Sequence, residues 1–226
     1  MSPEEAKWLA QTLEQYPAEQ LSPLLNLGSS TRRYRTEVCP EIDSYVFAPL
    51  QQRGVAVSHC DLKSGEGIDI VGDIFDDLVL NRIRAARFKV VLCNSLFEHV
   101  VDPGRLRVVL AQILPPGGLL FVSAPFRYPY HPDPIDNGFR PHLDELREFL
   151  APHFKFERGE ILEFGCYLRS LKRTKWLVLR DAYLIFAGIV SRDRWRVLVG
   201  NYRFLRSSFA MSCAVLRRTG GGGEHV

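Results

Sequence analysis

The sequence lacks a cysteine framework: its five cysteines are not arranged for cross-linking or metal binding. Cys39, Cys60, Cys93, Cys166 and Cys213 are odd in number, widely scattered and never at a metal-ligand spacing. That excludes a disulfide-stapled scaffold and points to reduced thiols in a cytosolic compartment. No basic start followed by an apolar core opens the chain, so a secretory signal is not expected. The apolar stretch 176–190 is interrupted by Arg180-Asp181 and is too short and too charged to span a hydrocarbon layer about 30 Å thick. There is no internal repeat, no Gly-x-Ser-x-Gly elbow and no multi-glycine turn of the kind that seats a pyrophosphate. Ser-nucleophile hydrolases and NAD-dependent oxidoreductases are thereby disfavoured.

The 226 residues, 46% hydrophobic and 24% charged, describe an ordinary globular chain able to bury a core without staples. They are expected to form one domain over 1–218, with a flexible glycine-rich tail at 219–226. The net charge of +3 is unevenly spread: residues 167–206 hold ten lysines and arginines against two aspartates. Ser2-Pro3-Glu4-Glu5 has the pattern of a capping box and starts a helix running to about residue 16 within an N-terminal segment, 1–20.

From Leu24 onward, apolar runs alternate with helical stretches. Strands are expected at 24–27, 55–60, 68–71, 88–93 and 119–123, and at 154–157 and 209–216 near the C-terminal end. Helices are expected at 41–53, with Pro49 inside it and Gly54 as its left-handed cap, and at 104–114. The near-continuous apolar strands read as buried on both faces. The fold class is therefore α/β, a Rossmann-like, seven-stranded, mostly parallel sheet with helices on both faces and its cofactor-binding core at 24–157.

In such sheets ligands bind beyond the carboxyl ends of the strands, and polar residues cluster there. The turn after the first strand reads Asn26-Leu27-Gly28-Ser29-Ser30-Thr31, the second strand ends at Asp61-Leu62, the third at Asp73-Ile74, and the fourth runs into Asn94-Ser95-Leu96-Phe97-Glu98-His99. An Asp after a strand also serves as a helix cap, and Gly28 as a plain turn residue.

The run from Phe88 to Val100 resembles the fourth-strand motif of class I methyltransferases, and Leu114-Pro115-Pro116-Gly117-Gly118-Leu119-Leu120-Phe121 resembles the segment before their fifth strand. The likeness is nearest to the type 11 group and covers about 24–156. It implies S-adenosylmethionine as cofactor. Carried over by position, Asn26, Gly28, Ser29 and Ser30 would line its methionine part. Asp61 with Leu62 would hold the ribose, Asp73 with Ile74 the adenine, and Asn94 with Ser95 the floor beneath the sulfonium. Two positions depart from the family's turn, which begins with an acid and carries a second glycine where this chain has Asn26 and Ser30. The departures motivate a second class of function, a non-catalytic binding or assembly module on the same fold.

Methyl transfer needs placement and at most a base. The loop 124–141 after the fifth strand is dense in prolines, aromatics and ionisable groups. His131 is the candidate base, with Asp133 or Asp136 to orient it. Tyr130, Asp136 and Arg140 are candidate acceptor contacts. The bland reading of this loop, turn-building alone, weighs equally. A metal site made from His131, Asp133 and Asp136 is set aside, and no metal is expected. The expected acceptor is a small molecule or a glycan-like compound, lipid-linked forms included. The basic segment 167–206 is read as a helix packed on the core, a lid, or a peripheral contact with the inner face of a membrane. No nucleic-acid motif accompanies its charge.

Overall fold

A computed structural model describes residues 1–165, Trp195 and residues 207–220. The basic segment, Cys166 and most of the glycine tail lie outside the described residues.

Seven strands form one sheet: β1 (Leu24–Leu27), β2 (Val57–Asp61), β3 (Ile70–Val71), β4 (Val90–Asn94), β5 (Leu119–Arg127), β6 (Phe154–Phe164) and β7 (Phe209–Arg218). Their order is β3-β2-β1-β4-β5-β7-β6. The first five are parallel, and β7 runs antiparallel between β5 and β6. The expected sheet is therefore the one observed. Successive residues of the central strands face opposite layers, as the two-residue period of a strand requires. Leu24, Val90, Leu92, Leu119 and Phe121 pack into one core with Leu9, Leu13 and Leu50. Leu25, Val91, Cys93, Leu120 and Val122 pack into the other with Ile83, Leu106, Leu110 and Leu146.

Helix α1 (Pro3–Leu13) begins with the expected capping box: Ser2 Oγ accepts from Glu5 N–H at 3.1 Å, and the Glu5 carboxylate accepts from Ser2 N–H at 2.7 Å. A short α2 (Ala18–Leu21) leads into β1. The helix expected at 41–53 is instead a broken run. Wide π-helical turns at Tyr34–Val38 and Asp43–Phe47 alternate with α3 (Pro40–Ile42) and α4 (Ala48–Gln52). Pro40 and Pro49 stand at the starts of α3 and α4, where each withholds an N–H that a continuous helix would need. Gly54 does close the run, at φ +76°.

Three further elements frame the sheet. α5 (Asp77–Ala85) is capped by the Asp76 carboxylate, and α6 (Pro103–Ile113) by Asp102. α7 (Leu143–Leu150) is capped by His142 with Glu145. β5 and β6 run well past the expected limits because β7 pairs along both. Among the described residues no helix is long and apolar enough to cross a membrane.

His59, on β2, accepts a hydrogen bond at Nδ1 from the Asn26 amide at 3.1 Å and meets the Phe47 ring edge-on at 4.8 Å. Burial, aided by the nearby Arg35 charge, pushes its pKa down to about 4. The unfolded chain, with a His pKa near 6.5, takes up this proton first as the pH falls. The neutral ring's contribution is therefore complete above pH 6.5 and is lost on acidification toward pH 4. Urea unfolding should show stability falling through that window by on the order of 2 kcal/mol. His59→Gln should flatten the fall, and an equal fall in the variant would assign it to another group.

Candidate active site

A cleft of about 950 Å³ opens at the carboxyl ends of β1, β2, β4 and β5, within the size range of small-molecule and cofactor sites. Its first edge is the turn after β1. Gly28 sits at φ +71°, where a Cβ would also come within 3.1 Å of Leu96 Cδ1. Ser30 takes φ +54°, a left-handed conformation that a residue with a side chain adopts only when its surroundings enforce it. Two groups enforce it here. Asp61 Oδ2 accepts from Ser30 N–H at 2.6 Å, and the buried Arg35 guanidinium donates to the Ser29, Ser30 and Gly67 carbonyls. Asp61 Oδ1 accepts from Lys63 N–H at 2.9 Å.

On the β3 side, Asp73, Ile74 and Phe75 form the wall. Asp73 Oδ1 caps Phe75 N–H at 2.9 Å, and the Arg105 guanidinium lies over the Phe75 ring at 4.7 Å. The floor comes from β4. Ser95 is again left-handed, at φ +50°. Asn94 donates from Nδ2 to Ser123 Oγ at 3.1 Å, while its Oδ1 is buried without a partner. Ser123 Oγ donates in turn to Glu5 Oε1 at 2.7 Å, and Ser95 Oγ lies 3.3 Å from the same oxygen. Glu5 thus closes the capping box with one oxygen and props the floor with the other. Sequence reasoning found it only as a cap, since the 118-residue separation from Ser123 has no local signature.

The other half of the cleft is lined by Tyr34, Tyr128, Pro134, Ile135, Phe164 and Met211, together with Glu98, His99 and His131. Glu98 is completely buried and neither carboxylate oxygen has a hydrogen-bond partner. Burial pushes its pKa up to about 8. Glu98 Oε1 lies 3.8 Å from His99 Nε2 and 3.9 Å from His131 Nε2. Burial also lowers the His131 pKa, assisted by the His99 and Arg140 charges. Glu98 was legible as part of the fourth-strand motif, but its burial and its two histidine neighbours were not.

Among the expected cofactor residues, Gly28, Ser30, Asp61, Leu62, Asp73, Ile74, Asn94 and Ser95 line the cleft together. Asn26 and Ser29 do not. The Asn26 side chain turns to His59, and Ser29 Oγ donates to the Ser30 carbonyl. In the loop, His131 reaches the cleft, but Asp133 is ion-paired with Lys63 at 2.9 Å and does not orient it. Asp136 stands in that place, accepting from His131 N–H at 2.9 Å with Oδ2 3.4 Å from His131 Nδ1. Burial raises the Asp136 pKa, but hydrogen bonds from Arg140 and from the His131 and Gly138 N–H groups outweigh it and hold the carboxyl below its usual range. Asp136 and Arg140, paired at 2.6 Å, build the loop rather than face the cleft, and Tyr130 is also outside its lining. Asn137 ties the loop down, donating to the Phe97, Val100 and Glu98 carbonyls.

No family model matches the chain. A segment of 68 residues is 35% identical to a ubiquinone biosynthesis O-methyltransferase from Marinobacter nauticus, covering 30% of this chain and 29% of that protein. Among solved structures, a proposed sarcosine dimethylglycine methyltransferase from Galdieria sulphuraria aligns over 95% of this chain and 84% of its own, with a TM-score of 0.57 at 12% identity. A coclaurine N-methyltransferase bound to N-methylheliamine and S-adenosylhomocysteine aligns over 95% and 70%, with a TM-score of 0.55 at 13% identity. The fold is that of the class I methyltransferases.

Glu5→Ala should destabilise the protein by about 2–3 kcal/mol, because it removes both the reciprocal cap and a charge-assisted bond to Ser123. Ser2→Ala, which loses the cap hydroxyl alone, should lose about 1 kcal/mol. Equal losses in urea unfolding would show that the Ser123 contact adds nothing.

Proposed function

We propose that the chain transfers a methyl group from S-adenosylmethionine to a small-molecule acceptor. The observation that carries this reading is the floor between β1 and β4. There Asn94 Oδ1 is buried and unpartnered at the end of β4, across the gap from the Gly28–Ser30 turn, with the carboxylates that end β2 and β3 lining the same cleft beyond that turn. An unsatisfied buried acceptor calls for a donor, and the ammonium of the cofactor's methionine part is one. Asp61, already aimed at the turn, suits vicinal ribose hydroxyls, and Asp73 with Ile74 suits an amino-bearing ring.

When bound, the cofactor supplies a methyl group already activated by its sulfonium. The chain supplies placement and proton handling. The Pro129 carbonyl at 3.0 Å can only accept, so His131 carries its proton on Nδ1 and offers the Nε2 lone pair to the cleft. A hydroxyl on the acceptor can give its proton to that nitrogen, whose lowered pKa keeps it unprotonated at neutral pH. The aromatic lining by Tyr34, Tyr128 and Phe164 favours an acceptor with an apolar or ring-shaped body. Glycan-like and lipid-linked acceptors are the finer reading, supported by the ring-and-hydroxyl chemistry of this half and by the basic segment 167–206, a candidate peripheral membrane contact. The second class of function, a non-catalytic module, draws support from the Asn26 and Ser30 departures. Against it, Ser30 holds a left-handed backbone of the kind that a glycine adopts freely.

Calorimetric titration with S-adenosylhomocysteine, with NAD as control, separates the two. Micromolar binding of the first alone supports the enzyme, and no binding supports the module. Asp61→Ala should weaken the affinity by roughly 10–100-fold, the equivalent of one charge-assisted hydrogen bond. Unchanged affinity in a folded variant would remove Asp61 from the site.

A further inference from the structure

The geometry points to a second ligand in the cleft, beside Tyr128 and Ile135: Glu98, His99 and His131 form a binding site for a divalent transition-metal ion such as zinc. One ligand atom from each residue lies within 4.8 Å of the others, with the two Glu98–His separations at 3.8 and 3.9 Å. A tetrahedral zinc with bonds of about 2.1 Å sets its ligands roughly 3.4 Å apart. The two Glu98–His separations therefore close with a contraction of about half an ångström, and the remaining pair, within 4.8 Å, with one of at most about 1.4 Å.

Three further observations support a cation here. First, the lone pairs are correctly presented. His99 donates from Nδ1 to the Ile135 carbonyl at 2.8 Å and His131 donates from Nδ1 to the Pro129 carbonyl at 3.0 Å. Both protons are thereby held on Nδ1, and both Nε2 atoms are left as ligands. Second, these carbonyls, with Asp136 Oδ2 3.4 Å from His131 Nδ1, are the outer partners that orient metal-bound imidazoles. Third, both oxygens of the fully buried Glu98 lack hydrogen-bond partners, and a carboxylate in that position is strongly disfavoured unless a cation meets it. Two imidazoles and one carboxylate suit zinc, iron(II) or cobalt(II) rather than magnesium or calcium, which prefer oxygen ligands. Three protein ligands leave a fourth position for water or an acceptor oxygen, and all three residues line the cleft.

The inference deepens the proposed function, because a hydroxyl coordinated in the fourth position loses its proton more readily. In that state His131 is a ligand rather than a base. Its test, however, reads metal and not methyl transfer. Chelator-stripped protein should bind one equivalent of zinc in a calorimetric titration. Cobalt(II) in its place should give visible ligand-field bands without a thiolate charge-transfer band, which sets the site apart from the cysteines. Glu98→Gln and His131→Ala should each weaken zinc binding beyond the roughly 10–100-fold that loss of a supporting residue brings. His99→Gln serves as a third variant should either fail to fold, and melting curves without metal check the fold. Absent binding, unchanged affinity in the folded variants, or a thiolate band would overturn the site. Titration of the same preparations with S-adenosylhomocysteine keeps the two readings apart, since each ligand can bind without the other.

Discussion

The four residues of β1 are hydrogen-bonded on both sides, by β2 in one direction and β4 in the other. The chain leaves β1, builds β2 and β3 outward, then returns across the sheet to lay β4 on the opposite side of β1. The segments that follow β1 and β4 consequently diverge, and the space between them is the cleft. Every candidate residue depends on this divergence: Gly28 and Ser30 on one lip, Asn94 and Ser95 on the other, and Asp61 and Asp73 one and two strands out.

Around that gap the protein keeps its backbone under tension and its polar groups underused. Ser30 and Ser95, on opposite lips, both hold left-handed conformations that their side chains disfavour. Asn94 Oδ1 and both oxygens of Glu98 are buried without partners. Other polar groups of the described structure are well paired, although Arg107, Arg127 and Arg158 each bury an unpartnered Nε away from the cleft. Arg35 donates to three carbonyls, Asp136 takes three hydrogen bonds, and Asn137 secures the loop above Phe97. Two of the three left-handed non-glycine residues, and every buried unpartnered side-chain oxygen among the described residues, sit in this one cleft, which marks it as a place built to receive something.

The central sheet was readable in the sequence because its strands are buried on both faces and so appear as unbroken apolar runs. α5 was not, because only Leu80 and Ile83 of its nine residues are buried, too few to write a clear helical stripe. α7 was hidden behind a loop whose prolines and aspartates dominated the reading. The capping box at Ser2 was legible since it is written within four residues. The strand-end residues followed from topology and from the family likeness, and most of them do meet in the cleft. What stayed illegible were relations across the fold: Glu5 with Ser123, Asp136 rather than Asp133 beside His131, and Glu98 between two imidazoles. Asn26 illustrates the limit well, because strand alternation turns its side chain to the His59 layer and away from the cleft.

The position of α1 has a practical side. Met1, Ser2 and Glu5 are part of the cleft wall, so the first residues of this chain are furniture of the binding site. An affinity handle or fluorescent fusion attached at Met1 would therefore be anchored at the cleft wall itself. Gly220, by contrast, lies near Pro116 past the end of β7, at the opposite end of the sheet from the cleft.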